Sequence, residues 1–233
     1  MDRGYIYVNK NTFVNNLQYL KQVSKKKTCL VVKANAYGHG LKWSVGNAIK
    51  AGVEWFAVAS VDEGIQVKQE SKDSRILLLA EPSISQLDKI LKNEIDITVY
   101  SDDFIDKLID TGYEFNVHLK IDTGMHRVGC SPEKFNYLFE KINNSNLNLT
   151  GLCTHFPTAD TSKADTQAFI NLFKTTISSI NTDNLLIHVD NSASTFYNLD
   201  ETFNMVRIGI AAYGIEIAPV ESENKLKPIM EIK

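Results

Sequence analysis

Apolar positions along the chain switch repeatedly between two periods. Short apolar runs, rich in β-branched residues and too brief for helices, occupy 29–32, 55–58, 76–79, 95–99, 117–121, 149–152, 185–189 and 205–208. An earlier run, 5–8, stands outside this series of eight. Helical spacing fills much of the intervening sequence. Phe13, Leu17 and Leu20 share one face, as do Ile84, Leu87 and Leu91 after the capping candidate Ser83. Phe104, Ile105, Leu108 and Ile109 follow Ser101-Asp102, and Phe135, Leu138, Phe139 and Ile142 follow Ser131-Pro132, a helix start with proline in its first turn. Phe169, Leu172, Phe173, Ile177 and Ile180 mark the longest helix.

Strands alternating with helices predict parallel βα units. The eightfold count, in a chain of 233 residues, predicts a (β/α)8 TIM-type barrel. A doubly wound open sheet is the alternative, because one miscounted strand would produce it. From Glu216 to Pro228 the sequence turns charged and proline-bearing, which reads as a linker. Beyond it lies a short apolar piece, 229–232, with no evident partner. The expectation is a barrel over 1–224 and, in 225–233, a linker and the first stub of a C-terminal β domain that the chain is truncated before.

Composition narrows the function classes. Hydrophobic residues make up 43% and charged residues 23%, so a globular core is expected and disorder is excluded. Lys and Arg number 25 against 28 acidic residues, which implies no basic face for nucleic acid. The run Lys25-Lys26-Lys27 reads as a solvated turn. No apolar run approaches the roughly 20 residues of a membrane span, and the chain opens without a signal-peptide pattern. The odd count of three cysteines (Cys29, Cys130, Cys153) fits free thiols in a reducing compartment, so a cytoplasmic protein is expected.

Active sites of such barrels lie at the C-terminal ends of the strands. The first barrel strand runs into Lys33. Desolvation there would favour the neutral amine that a Schiff-base lysine requires, whereas taken alone a strand-end lysine reaching solvent is the commoner outcome. The fifth carries Lys120 and leads to Arg127, two cations that suggest an anion between them. The sixth is followed by Thr154-His155-Phe156, the seventh by Asp190-Asn191-Ser192, and the eighth contains Arg207 followed by Gly209. Phosphate sites often form after strands seven and eight, and Gly209 permits close backbone approach. Together these positions predict a phosphorylated ligand held against a lysine. Walker, GxGxxG and GxSxG patterns do not occur. The five histidines show no metal-ligand spacing, and His118 and His188, inside strand runs, read as hydrogen-bonded structural residues.

Val32 to Gly40, with Lys33 second in the run, resembles the pyridoxal-phosphate lysine motif of bacterial alanine racemases. The segments 118–127, 154–160, 188–193 and 204–210 agree with that family in order and spacing, so the resemblance spans almost the whole chain. It implies a pyridoxal 5'-phosphate enzyme interconverting L- and D-alanine, with D-alanine supplied to peptidoglycan. It makes Lys33 both the Schiff-base lysine and one of two catalytic bases. It places Tyr37, Asn191, Ser192, Gly209 and Ile210 around the phosphate and sets Arg207 against the pyridine nitrogen, oriented by His155. Arg127 would meet the cofactor's phenolic oxygen or the substrate carboxylate, supported by Lys120, which is carbamylated in many relatives.

Two departures accompany the resemblance. Asp190 stands where relatives often have a small residue, and its carboxylate would weaken phosphate binding unless it points away. The family's second base is a tyrosine from a C-terminal domain of the neighbouring subunit in a homodimer, and nothing here matches it. Tyr213 reads as a packed aromatic. The fragment is therefore expected to bind cofactor and racemise slowly. The competing readings are a non-catalytic pyridoxal-phosphate carrier barrel and a barrel decarboxylase, the latter opposed by Arg207 where an acid is expected. Alanine and serine, one hydroxyl apart, are not separated by these motifs.

Overall fold

The computed structural model describes residues 4–215 and 225–233. The linker expected from Glu216 therefore lies, as far as residue 224, outside the described residues. The described residues form ten strands: β1 (Ile6–Val8), β2 (Lys27–Val31), β3 (Trp55–Val58), β4 (Arg75–Leu78), β5 (Ile95–Val99), β6 (Asn116–Lys120), β7 (Asn148–Cys153), β8 (Leu186–His188), β9 (Met205–Ile208) and β10 (Met230–Ile232). Strands β2 to β9 form one eight-stranded parallel sheet in the order β8-β7-β6-β5-β4-β3-β2-β9. Its ends meet along β8 and β9. There the Asn204 N–H donates to the Ile187 carbonyl (3.1 Å) and the Arg207 N–H to that of Asp190 (2.9 Å). The Asn204 side chain completes the seam, accepting from the Ile187 N–H (2.9 Å) and donating to the Leu185 carbonyl (2.8 Å). The result is a near-closed (β/α)8 barrel, and the open-sheet alternative fails on this seam.

Each strand sits within about a residue or two of its sequence run. Two helices that apolar spacing did not reveal, Leu41–Lys50 and Val61–Glu70, complete the alternation. The second begins with a capping box, in which Ser60 and Glu63 satisfy each other's backbone N–H groups. The Ser101 hydroxyl caps Asp102–Asp110, and Pro132 opens Pro132–Asn143. Ser83 makes no side-chain cap and precedes only a short 3-10 turn ahead of Leu87–Lys92. Lys163–Ile177 is 15 residues long, equalled by Lys10–Ser24, so it is not alone the longest.

The expectation that 229–232 lacks a partner is corrected. Strand β10 pairs antiparallel with β1, bringing Ile6 opposite Ile232 and Val8 opposite Met230. Ile229 is fully buried. The run Lys25-Lys26-Lys27 is also not wholly solvated. Lys25 and Lys27 are exposed, but Lys26 is half-buried and its side chain lies against Asp190, with Nζ 3.1 Å from the carboxylate and 2.7 Å from the Asp200 carbonyl.

The alternation along the strands separates two cores. One face (Leu30, Phe56, Ile76, Ile97, Val117, Leu152 and their neighbours) packs beneath the helices. The other fills the barrel. From β2, β3, β4 and β9 it contributes the apolar cluster Cys29, Val31, Trp55, Ala57, Leu77 and Met205. From β5 to β9 the same alternation brings in Asp96, Thr98, His118, Lys120, His188 and Arg207, all buried. Half of this barrel's interior is therefore polar, where Val, Ile and Leu dominate in most such barrels.

Gly151 makes room for that polar half. A Cβ there would lie 2.4 Å from the His118 Nδ1 atom and 2.8 Å from the Leu186 carbonyl oxygen. The strand register shifts beside it, between Val117 and His118. Gly151→Ala is expected to destabilise the fold by about 1–3 kcal/mol through overpacking, read by denaturant unfolding. An unchanged midpoint would contradict this packing.

Candidate active site

A cavity of about 630 Å³ opens at the C-terminal ends of the barrel strands. Its wall includes Lys33, Lys120, Arg127 and Arg207, four cations, and a single carboxylate, Asp160. Such an imbalance in a confined space favours an anionic ligand.

Lys33 follows β2 and is half-buried. The four residues after it, Ala34, Asn35, Ala36 and Tyr37, all take left-handed backbone angles, with φ between 51° and 55°. Each such residue costs roughly 1–2 kcal/mol outside glycine, so the turn must be held from outside. Glu63 does so. One carboxylate oxygen accepts the Ala34 N–H at 2.7 Å while the other accepts the Ala59 N–H at 2.8 Å. The Asn35 side chain accepts from the Leu41 N–H (2.8 Å), fixing the exit. The turn projects Tyr37 back over the site, with its ring centroid 5.9 Å from Lys33 Nζ. Burial raises the Tyr37 pKa, so its hydroxyl stays protonated. A Cβ on Gly209 would lie 2.7 Å from that hydroxyl oxygen, which explains glycine at this position.

The loop after β8 meets the loop after β9 beside Tyr37. Ser192 Oγ accepts from the Gly209 N–H (2.9 Å) and more weakly from Ala211 (3.4 Å), which leaves its hydroxyl hydrogen to donate to a ligand. Asn191 serves the loop itself. Its side-chain oxygen accepts from the N–H groups of Ala193 (3.0 Å) and Ser194 (3.1 Å), and its amide donates to the Phe156 carbonyl (3.2 Å). Asp190 points away from the cavity to Lys26, so the carboxylate suspected of opposing a phosphate is already paired. Burial raises its pKa, and Lys26 works against that rise.

Arg207 is buried and held from several sides. Nη1 donates to His188 Nδ1 (2.9 Å) and to the His188 carbonyl. Nη2 donates to the Thr154 carbonyl (2.7 Å) and lies 3.4 Å from His155 Nδ1. With four Nη hydrogens matched to four acceptors, the Nε–H is the donor left for a ligand. His188, which sequence reasoning took as merely structural, is thus a closer partner of Arg207 than His155. Glu63 was missed as well, although its Ser60-x-x-Glu63 spacing was legible as a cap. Lys120 is buried at the cavity floor, where burial and then the charges of Arg207 and Arg127 lower its pKa, against the opposing influence of Cys153 and Asp122. Arg127 is exposed at the mouth, on a loop organised by Asp122. Burial opposes ionisation of Asp122, yet hydrogen bonds from the N–H groups of Gly124, His126, Arg127 and Met125 hold its pKa below the usual value. Ile210 completes the wall. Tyr213 is 1% exposed, stacked on Phe13 and His39, and donates to the Val31 carbonyl, as expected of a packed aromatic.

These residues fit pyridoxal phosphate. Tyr37, Ser192 and the Gly209–Ile210 backbone form one polar end, Arg207 presents a single donor, and Lys33 lines the same cavity. A family model described as alanine racemase, N-terminal domain, matches residues 8–217. The alanine racemase of Treponema denticola is 38% identical over 238 residues, covering 94% of this chain and 63% of its own length. That of Streptococcus equi subsp. equi is 33% identical over 207 residues, covering 86% and 56%. Thus the chain spans about 56–63% of the length of these curated relatives. Among solved structures, alanine racemase of Clostridium difficile 630 in complex with cycloserine superposes with a TM-score of 0.90 at 31% identity, covering 100% of this chain and 68% of its own. The Bacillus anthracis enzyme with bound L-Ala-P gives 0.88 at 28%, covering 100% and 64%.

Burial, then the positive charges of Arg207, Lys120, Arg127 and Lys33, depress the His155 pKa from 6.5 to about 3. Unfolded, the ring takes a proton below pH 6.5, whereas folded it refuses one until about pH 3. The stability this group contributes is therefore fully present above pH 6.5 and is lost as pH falls toward the folded value, by up to about 1.4 kcal/mol per pH unit. Unfolding free energies measured from pH 6.5 down to about 5 are expected to fall less steeply in His155→Gln than in the parent. Equal slopes would contradict a neutral, buried His155.

Proposed function

The chain belongs to the alanine racemase family, within its N-terminal domain, and we propose that it forms the cofactor-binding barrel of a pyridoxal-phosphate amino-acid racemase acting on alanine. The observation that carries this reading is the presence of Lys33 and Arg207 on the wall of one cationic cavity. When bound, pyridoxal phosphate supplies an aldehyde that condenses with amines and a conjugated ring that spreads the electron pair left when an α-proton departs.

Lys33 is the residue we assign to hold the cofactor's aldehyde carbon, and its free Nζ would take the α-proton on one face of the substrate. Position supports the role, since the strained turn and Glu63 hold Lys33 at the end of β2, beside β9 and Arg207. Arg207 would direct Nε–H at the ring nitrogen. A guanidinium keeps its proton, so that nitrogen would stay unprotonated and the ring would be a weaker electron sink, which would limit transamination. The same residue argues against a decarboxylase, where an acid is expected. Tyr37, Ser192, Gly209 and Ile210 grip the phosphate, with Asn191 shaping their loop and His155 flanking Arg207 as a neutral acceptor. Arg127 binds the substrate carboxylate. We assign Lys120 as its support. A lowered amine pKa favours the uncharged form that adds carbon dioxide, so carbamylation of Lys120 is consistent with its burial.

Reprotonation on the opposite face needs a second base. Tyr213 is committed to packing, and we propose that a tyrosine from a second domain of a partner subunit fills that role in a homodimer. Free, buried Cys29, Cys130 and Cys153 suit a reducing, cytoplasmic setting, and the D-alanine formed would feed peptidoglycan. Among the described residues no helix is long and apolar enough to cross a membrane.

Incubation with pyridoxal phosphate, borohydride reduction and peptide mapping should label Lys33. A label on another lysine would overturn the assignment. Loaded with cofactor and left unreduced, these 233 residues should racemise alanine far more slowly than a full-length relative, as followed by chiral chromatography. Equal turnover would show that the second base lies within this chain.

A further inference from the structure

Beneath Arg207 a line of buried side chains crosses the polar half of the barrel interior. His188 Nδ1 faces Arg207 at 2.9 Å, and His188 Nε2 lies 2.8 Å from His118 Nδ1. His118 Nε2 lies 3.3 Å from an Asp96 oxygen. Asp96 in turn receives Arg75 at 2.8 and 3.2 Å and the Asn116 amide at 3.3 Å. Asp96, His118 and His188 are 0% exposed, so water cannot substitute for a missing partner.

The two ends dictate the direction of every proton between them. A guanidinium only donates, so His188 Nδ1 must offer a lone pair. The carboxylate paired with Arg75 only accepts, so His118 Nε2 must carry a hydrogen. Each neutral imidazole has one donor and one acceptor, which leaves a single consistent order: Arg207 donates to His188, His188 through Nε2–H to His118, and His118 through Nε2–H to Asp96. Any other order sets hydrogen against hydrogen, or lone pair against lone pair, within the barrel.

We propose that Asp96 and His118 are positioning residues that hold His188 in its Nε2–H tautomer and thereby aim the free edge of Arg207 into the cavity. The arrangement passes on orientation without passing on charge. Asp96 is neutralised by Arg75 at the far end, and among the described residues no carboxylate touches Arg207, whose positive charge remains directed at the ligand. Trp55 caps the line, with Arg75 4.7 Å above its ring and His118 edge-on at 5.9 Å. What Arg207 faces rests on the function proposed above, but the order of protons does not.

The test therefore uses the protein without added cofactor. Long-range proton–nitrogen NMR on a histidine-labelled sample reports which ring nitrogen of each imidazole carries hydrogen. In the parent protein His188 and His118 should both be neutral Nε2–H tautomers. In Asp96→Asn the new amide can donate toward His118, which sets that end against the Arg207 end, so His188 should lose its single tautomer and show Nε2–H and Nδ1–H together. A His188 that is Nδ1–H or doubly protonated in the parent, or that keeps Nε2–H alone in Asp96→Asn, overturns the proposal. Should Asp96→Asn fail to fold, His118→Leu removes both links at once and should abolish the single His188 tautomer. Retention of Nε2–H there also overturns it. Failure of pyridoxal phosphate to bind would sink the proposed function and leave these spectra standing.

Discussion

The structure depends on a guanidinium buried inside a barrel without a carboxylate beside it. A charge in such a place is unfavourable unless oriented dipoles replace the water it has lost. Arg207 meets that requirement with two backbone carbonyls, the His188 ring and the His155 ring. Each of these acceptors must be kept neutral and turned the right way. That demand accounts for imidazoles where other barrels carry aliphatic side chains, for the glycine at 151 that gives His118 its space, and for the seam between β8 and β9. Burial and the neighbouring arginine hold the His188 pKa well below its usual value, which keeps it an acceptor. Because no carboxylate among the described residues cancels Arg207, its field reaches the cavity and adds to those of Lys33 and Arg127.

The second constraint is conformational. Four consecutive left-handed residues without glycine would not persist in an isolated peptide. They persist here because Glu63 binds the first of their N–H groups while its other carboxylate oxygen anchors the start of the neighbouring helix. One side chain thus ties the β2 turn to the β3 loop and sets the direction from which Lys33 enters the site. The packed aromatics beneath it, Tyr213 with Phe13 and His39, close the turn from below and set Tyr37 over Gly209. Lys33 follows β2 and Arg207 lies on the adjacent strand β9, so the pairing of these two strands brings both residues to one cavity.

Much of this was legible in the sequence. Strand runs were plain because parallel strands buried on both faces read as apolar stretches. The alternation in Ile95-Asp96-Ile97-Thr98 and in Val117-His118-Leu119-Lys120 already carried the polar half of the interior, although nothing in one strand says what the next places opposite. The Arg75, Asp96, His118 and His188 line depends on register between strands, a non-local property with no local signature. The Asp190 carboxylate looked hostile to a phosphate because its partner, Lys26, comes from a basic run that reads as surface. The helix Leu41–Lys50 escaped notice because Gly46 and buried polar residues, Ser44 and Asn47, blur its apolar face. Strand β10 escaped because its partner β1 lies at the other end of the chain.

The central claim is that Lys33 and Arg207 grip opposite parts of one anionic, ring-bearing cofactor. A crystal structure of the protein grown with pyridoxal phosphate tests it most directly. The account predicts continuous density from Lys33 Nζ into the ring, the ring nitrogen hydrogen-bonded to Arg207 Nε, and the phosphate against Ser192, Tyr37 and the Gly209–Ile210 backbone. Cofactor bound elsewhere, or Arg207 swung away from His188 to reach the phosphate, would contradict it.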